Sequence, residues 1–206
     1  MTRHLHWPKQ PVNARSLGPA GLRHPMLKWL FRRKAARQAA PAIYQNLVAA
    51  ARSPFLYRDC GVPDSIEGRY EMIVLHATLL LRRLHQEGRE QAPLGQAIVD
   101  YLASDLDRSM RELGVGDLSV SRYMKRLGEG LYGRAAAYEA ALADPADPAS
   151  LPKTLLRNVY GDIHPGDRIL AAIAAYVRDQ ARRLAHVPIP DIQRGAAFVS
   201  PVGDNP

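Results

Sequence analysis

The stretch DSIEGRYEMIVLHATLLLRRLHQEG, residues 64–88, determines the fold class that the sequence predicts. Asp64 followed by Glu67 has the spacing of a helix capping box, and Gly88 is well placed to end the helix. Between them, apolar residues recur at steps of three and four, which predicts a helix with a broad buried face. These residues are Tyr70, Ile73, Val74, Ala77, Leu80, Leu81 and Leu84, with Met72, Leu75 and Leu79 widening the face. We therefore expect this helix to be the most buried one in the protein.

Helical periodicity continues on both sides of this stretch, and Pro, Gly, Ser or Asp residues mark the predicted helix ends. Further helices are expected to begin at Pro41, at Pro93, at Asp117 or Ser119, at Leu151, and shortly before Ile169. No strand pair, hairpin signal or internal repeat accompanies them. The sequence therefore predicts an all-α protein, a single compact bundle of about six helices.

The predicted bundle is flanked by two segments that lack periodicity. The expected division of the chain is a flexible basic arm at 1–24, a basic amphipathic segment at 25–38, the helical domain at 39–186, and an extended tail at 187–206.

Positive charge is concentrated at the start of the chain. Residues 1–58 contain eleven Lys or Arg and no Asp or Glu, whereas the remainder has 17 basic and 20 acidic residues. Such a block attracts anionic lipid headgroups, nucleic acid or an acidic partner. After Pro25 an apolar and aromatic patch precedes a basic cluster, which suits either a helix at a membrane interface or a helix that packs on the domain. The predicted contacts with membrane or ribosome are Trp29, Leu30, Phe31, Arg32, Arg33, Lys34 and Arg37.

Two motifs suggest chemistry, and both are explained better by structure. The glycines of the motif at residues 128–133 match the dinucleotide-binding pattern, but they lie inside a helical stretch, where they predict close approach by another helix. His76 lies in the most apolar helix and is expected to be a hydrogen-bonded core residue. Cys60 is the only cysteine, and no Glu-x-x-His or His-x-x-x-His pair is present to hold a metal on a helix. The sequence thus predicts no catalytic residue, no metal and no cofactor.

An acidic cluster on one predicted helix has the spacing of surface ion pairs. Asp105 precedes Arg108 by three residues, and Asp107 precedes Arg111 by four. Asp105 also lies on the apolar line of its helix. Its carboxylate is therefore expected either to be buried with a cation or to belong to a polar groove that receives a partner.

Several short segments, in this order, resemble the ubiquinol–cytochrome c chaperone family over roughly residues 40–180. The segments are 51–57, 61–64, 68–70, 75–76, Asp107, 111–120, 132–134, 137–138 and 157–160. The resemblance implies a chaperone or assembly factor for ubiquinol–cytochrome c reductase, respiratory complex III, rather than an enzyme. It implies binding of newly made cytochrome b and association with the ribosome. The expected location is the bacterial cytoplasm, peripheral on the inner face of the inner membrane, or the mitochondrial matrix in a eukaryote. The alternative is a ribosome- or RNA-associated module recruited by its basic arm.

A partner-binding surface is expected where the segment 51–70 meets the segment 111–134. Phe55, Tyr57, Tyr70 and Tyr132 are expected to form an aromatic groove, while Arg52, Arg69, Arg111 and Arg134 pair with Asp64, Asp107 and Asp117. The same residues are also what maintenance of the fold would require.

Overall fold

The computed structural model describes residues 23–112, 117–143 and 147–198, apart from the side chains of 23–28 and 117–129. Within these ranges the backbone forms helices and no strand, so the prediction of an all-α bundle is confirmed. A 3₁₀ turn, Arg89–Gln91, precedes the fourth helix, and a π-helical turn, Leu156–Tyr160, continues the sixth. The helices are α1 (Arg23–Ala51), α2 (Pro54–Arg58), α3 (Ile66–Glu87), α4 (Ala92–Glu112), α5 (Asp117–Ala143), α6 (Ser150–Leu155), α7 (Asp167–His186) and α8 (Ile189–Gln193).

Helix α3 is the centre of the bundle, as its periodicity predicts. Every residue from Glu71 to Leu80 is buried, and the helix packs against α1, α4, α5, α7 and the π-helical turn. The cap differs from the prediction by one residue, because the Ser65 hydroxyl accepts the backbone N–H of Gly68 at 3.1 Å. Asp64 therefore does not cap α3, and its carboxylate is available to other groups.

Helix α1 is longer than the sequence predicts. A new helix was expected at Pro41, yet Pro41 lies inside one continuous helix from Arg23 to Ala51. A proline in a helix interior removes one backbone hydrogen bond. Here α1 buries Ala40, Ile43 and Leu47 and packs most extensively against α4, so tertiary contacts offset the loss. The predicted arm at 1–24 lies outside the described residues except for its last two, which begin α1.

The extended tail that the sequence predicts from Val187 is wrong for residues 187–198. These residues contain α8, and Ile192, Ala197 and Phe198 are buried. The apolar residues are too few and too widely spaced to show a periodicity, so only the tertiary structure reveals their burial. We call residues 189–198 the C-terminal strap.

The strap is fastened to α1 by a side chain that mimics a backbone amide. Asn46 donates from Nδ2 to the carbonyl of Phe198 at 3.2 Å and accepts the N–H of Phe198 on Oδ1 at 2.7 Å. The close approach depends on Gly195, which has a φ of +83°, and any Cβ there would lie 2.8 Å from the carbonyl oxygen of Ala42.

His76 lies beneath the strap and is fully buried, which confirms the prediction of a core histidine. Its Nδ1 donates to the carbonyl of Met72 at 2.7 Å, so its Nε2 accepts from the hydroxyl of Tyr176, also at 2.7 Å. The ring of Phe198 meets the imidazole edge-on, with centroids 5.2 Å apart. Burial lowers the pKa of His76 to about 4, because the interior disfavours the charged ring.

This low pKa predicts a loss of stability in mild acid. Between pH 6.5 and 4 the unfolded chain binds a proton at position 76 and the folded chain does not, so the free energy of unfolding falls as the pH falls. From pH 7 to pH 5 the loss from this residue is about 2 kcal/mol. Urea unfolding at both pH values, on the wild type and on His76→Gln, isolates this contribution, since the other titrating groups are common to both proteins. Equal losses in the two proteins would show that His76 does not cause the acid sensitivity.

The glycine motif lies within α5, and the preceding element is a helix rather than a strand. A Cβ added to Gly133 would meet nothing within 4 Å, and one added to Gly130 would meet only the guanidinium group of Arg134. The predicted close approach by another helix is therefore wrong for these two glycines. Gly128 lies among the residues whose surroundings are not described.

Candidate functional site

The first turns of α3 carry a surface that is both apolar and charged. Ile66 is 62% exposed, and Tyr70 lies one turn later on the same side of the helix. Arg69 donates from Nε to Asp64 at 2.7 Å, and both side chains are exposed. We call Tyr57, Asp64, Ile66, Arg69, Tyr70 and Arg134 the α3 patch. Its exposed ion pair contributes little stability, so these charges are free to serve contact with a partner.

Tyr57 connects this patch to the end of α1. Its hydroxyl donates to the carbonyl of Ala51 at 2.9 Å, and the ring is half-buried. Burial raises the pKa of Tyr57, the cations Arg69 and Arg52 oppose the rise, and the carboxylate of Asp64 adds to it. Three of the predicted site residues, Arg52, Asp64 and Arg69, therefore lie close enough to Tyr57 for their charges to act on it.

A buried ion pair lies at the other side of the patch. Arg134 donates from Nε to Oε2 of Glu71 at 2.6 Å, and its Nη2 contacts Oε1, so the pair is bidentate. Glu71 is only 6% exposed, and burial raises the pKa of its carboxyl while Arg134 opposes the rise. The guanidinium carbon of Arg134 also lies 5.9 Å from the centroid of the Tyr70 ring. Arg134 thus joins the interior to the surface.

The polar interior extends from Glu71 to two further residues. Tyr138 is fully buried, and the π-helical turn brings Asn158 beside it. Among the described residues, neither the Tyr138 hydroxyl nor the Asn158 amide nitrogen has a hydrogen-bond partner of good geometry. Burial raises the pKa of Tyr138, so its hydroxyl stays protonated at neutral pH. The Asn158 side chain opposes this rise, so the two polar groups lie side by side in the interior.

The structure does not bring all the predicted site residues together. Phe55 is half-buried, with its ring 5.9 Å from that of Tyr176, so it belongs to the core. Tyr132 is 57% exposed but precedes Arg134 by two residues, about 200° around α5, and so points away from the patch. The predicted groove of four aromatic side chains is therefore wrong, and only Tyr57 and Tyr70 share one surface.

Two of the predicted ion pairs form, and Arg134 has a different partner from the one expected. Arg69 pairs with Asp64, and Arg111 pairs with Asp107 at 2.8 Å on the exposed side of α4. Arg134 pairs with Glu71 rather than with an aspartate, and the side chain of Asp117 lies outside the described residues. One signal for Glu71 is visible without the structure, since an acid stands near the start of the most apolar helix.

The carboxylate of Asp105 accepts two hydrogen bonds from within the fold. The hydroxyl of Tyr44 on α1 donates to its Oδ2 at 2.9 Å, and Arg108 donates to its Oδ1 at 2.6 Å. Of the two alternatives for this carboxylate, the structure favours the half-buried acid held by a cation. Asp105 thus fastens α1 to α4 and does not line a groove.

Other kinds of site receive no support from the described residues. Burial raises the pKa of the Cys60 thiol to about 12, so it is not a thiolate nucleophile at neutral pH. Within the described ranges, no three His, Cys, Asp or Glu side chains are grouped to hold a metal ion. The helices described there include none that is both long and apolar enough to cross a membrane. What the α3 patch offers at the surface is apolar area at Ile66 and charge at Asp64 and Arg69.

Comparison with known proteins points to one family. A family model described as ubiquinol-cytochrome C chaperone matches residues 58–199. The crystal structure of the Cbp3 homolog from Brucella abortus is 37% identical, with a TM-score of 0.69, over 82% of this chain and 94% of that one. Ubiquinol-cytochrome c reductase complex assembly factor 1 of Mus musculus is 24% identical over 71% of this chain and 49% of its own length. The Xenopus laevis protein of that name is also 24% identical, over 72% of its length.

The chain thus spans about half the length of the mouse relative. The comparisons confirm the resemblance that the sequence shows. The relatives are named as assembly factors and not as enzymes, which confirms the prediction of a non-catalytic protein.

Proposed function

Since the chain belongs to the ubiquinol-cytochrome C chaperone family, we propose that it assists the assembly of ubiquinol–cytochrome c reductase by holding newly made cytochrome b on the α3 patch. The observation that carries the assembly role is the family match, which covers every element from α3 to α8. The same match includes every residue of the α3 patch except Tyr57. The client and the binding surface rest on the chemistry of the patch.

The patch has the composition that an unassembled membrane protein requires. Ile66 and Tyr70 offer apolar area, and Asp64, Arg69 and Arg134 surround it with charge. Interfaces combine an apolar centre with a polar rim in this way, and Tyr and Arg are the residues most enriched at energetic centres of binding. A segment of cytochrome b that has not yet met its subunit partners would bury its apolar side chains there.

The patch is also rigid, which favours binding. It stands on the buried part of α3, and the bidentate pair with Glu71 fixes Arg134. A surface that is already ordered loses little conformational entropy when a partner binds. The proposed place of work is the inner face of the bacterial inner membrane, or the mitochondrial matrix in a eukaryote, where new cytochrome b is inserted.

Photocrosslinking tests the client and the surface together. The full chain, with a photoreactive phenylalanine analogue at Ile66, is added to a translation reaction that makes cytochrome b in the presence of inner-membrane vesicles. We expect a crosslink that an antibody identifies as cytochrome b. The matched control places the same analogue at Tyr132, which is similarly exposed but lies on the other side of α5, and should give little product.

Equal crosslinking from both positions, or crosslinking from Tyr132 alone, would contradict the assigned surface. Normal amounts of complex III in cells that lack the gene would contradict the assembly role itself.

A further inference from the structure

From Trp29 to Ala35, α1 exposes its side chains on every side of the helix. All residues from Trp29 to Ala35 are exposed, and burial begins only at Ala36 and Ala40. Three large apolar side chains stand in this segment, since Trp29, Leu30 and Phe31 are 48%, 50% and 69% exposed. The family match begins after α1, so it assigns no role to this segment.

The apolar side chains share the segment with a basic cleft. The cleft has a volume of about 270 Å³ and is lined by Leu30, Arg33, Lys34, Arg37 and Gln38. No acidic residue lines it, and residues 1–58 contain none. Arg33 is oriented by the ring of Trp29, with its guanidinium carbon 4.7 Å from the ring centroid. Leu30 thus lies among three cations. A ligand that combines a phosphate ester with a hydrocarbon chain would match both kinds of side chain.

We propose that this cleft binds the phosphate of anionic phospholipid headgroups and so holds the protein against a membrane surface. The cations meet the phosphates, while Leu30, Phe31 and Trp29 enter the interface between headgroups and acyl chains. These three residues are consecutive, so their side chains spread over about 200° around the helix axis. The apolar side chains therefore do not form one narrow face of the helix, and their insertion is shallow. Exposed Leu30 favours lipid over RNA, because an aliphatic side chain adds nothing to phosphate contacts and does not stack on bases.

Vesicle sedimentation of the full chain tests this inference without reference to the client. We expect binding to vesicles of phosphatidylcholine with phosphatidylglycerol, and little binding to phosphatidylcholine alone. Each cation near such a surface is worth about fivefold in affinity, so Arg33→Gln combined with Arg37→Gln should weaken binding about 25-fold. Leu30→Ser should weaken it several-fold, because it removes apolar area from the interface. The matched control is Arg89→Gln with Arg168→Gln, which removes the same charge from exposed positions outside α1 and should change binding less than twofold.

Equal losses of vesicle binding in the cleft variant and its control would show that binding depends on net charge and not on the cleft. A Leu30→Ser variant that binds vesicles like the wild type, together with displacement of the protein from vesicles by RNA, would assign the segment to RNA instead. Each variant changes an exposed side chain, and an unaltered urea unfolding curve verifies that it is folded.

Discussion

Replacing Arg134 with Ala is expected to lower the free energy of unfolding by about 3 kcal/mol at pH 7. The substitution leaves the carboxylate of Glu71 charged and without its bidentate partner, and that carboxylate is 6% exposed. Breaking a buried ion pair on one side costs more than the pair itself contributes, because an uncompensated charge stays in the interior. Losses of this kind are about 3–5 kcal/mol. We expect the low end of this range because 32% of the Arg134 side chain is exposed to solvent.

The pH dependence identifies the cause of this loss. Burial already raises the pKa of Glu71, and loss of Arg134 raises it further. A carboxyl whose folded pKa lies above its unfolded value is protonated first in the folded state, so acid reduces the cost of burying it. Relative to the wild type at the same pH, the deficit of Arg134→Ala should therefore shrink as the pH is lowered from 7 to 5.

Urea unfolding at the two pH values measures both effects. The control is Arg134→Met combined with Glu71→Gln, which removes both charges and should be more stable at pH 7 than Arg134→Ala alone. A deficit that is the same at pH 7 and pH 5, or a double variant no better than the single one, would show that the buried charge is not responsible.

Replacing Phe198 with Ala is expected to cost about 3 kcal/mol of unfolding free energy. The ring is buried and covers the imidazole of His76, so its removal leaves a cavity above the hydrogen bond to Tyr176. The backbone of residue 198 is held by Asn46 and cannot easily move to fill the space. The cost is therefore set by lost contacts and by the cavity that remains.

The same substitution at Phe31 is the matched control, because that ring is 69% exposed, and its loss should change the free energy of unfolding by less than about 0.5 kcal/mol. Both variants are compared in urea at pH 7. If Phe198→Ala is no less stable than Phe31→Ala, the strap does not stabilise the fold.

The helices of this protein were predictable where periodicity is long and their ends where capping chemistry is local. The stripe in α3 predicts the central helix, and Gly88 predicts its end. Either Asp64 or Ser65 has the chemistry of a helix cap, so the choice between them was not predictable. In the structure Arg69 binds Asp64, and Ser65 caps the helix. The continuation of α1 through Pro41 depends on packing against α4, which no local rule contains.

The candidate site was predictable in part. Spacing identifies pairs within one helix, such as Asp107 with Arg111, because residues four apart are neighbours. The pair of Glu71 with Arg134 joins residues 63 positions apart, and no spacing rule reaches across two helices. Resemblance to a family supplied Arg134 and Tyr70 as candidates, but it placed Tyr132 and Phe55 with them. Which side of α5 faces α3 depends on how the two helices pack, and the sequence does not show this.

The fastening of Phe198 by Asn46 also sets an order of events during synthesis. These residues are 152 positions apart, so the cover over His76 cannot close before residue 198 has been translated. Contacts between such distant parts of a chain form late, since much loop entropy is lost before they are made. During its own synthesis the chain therefore exposes apolar core side chains, the same kind of surface that it is proposed to cover on newly made cytochrome b.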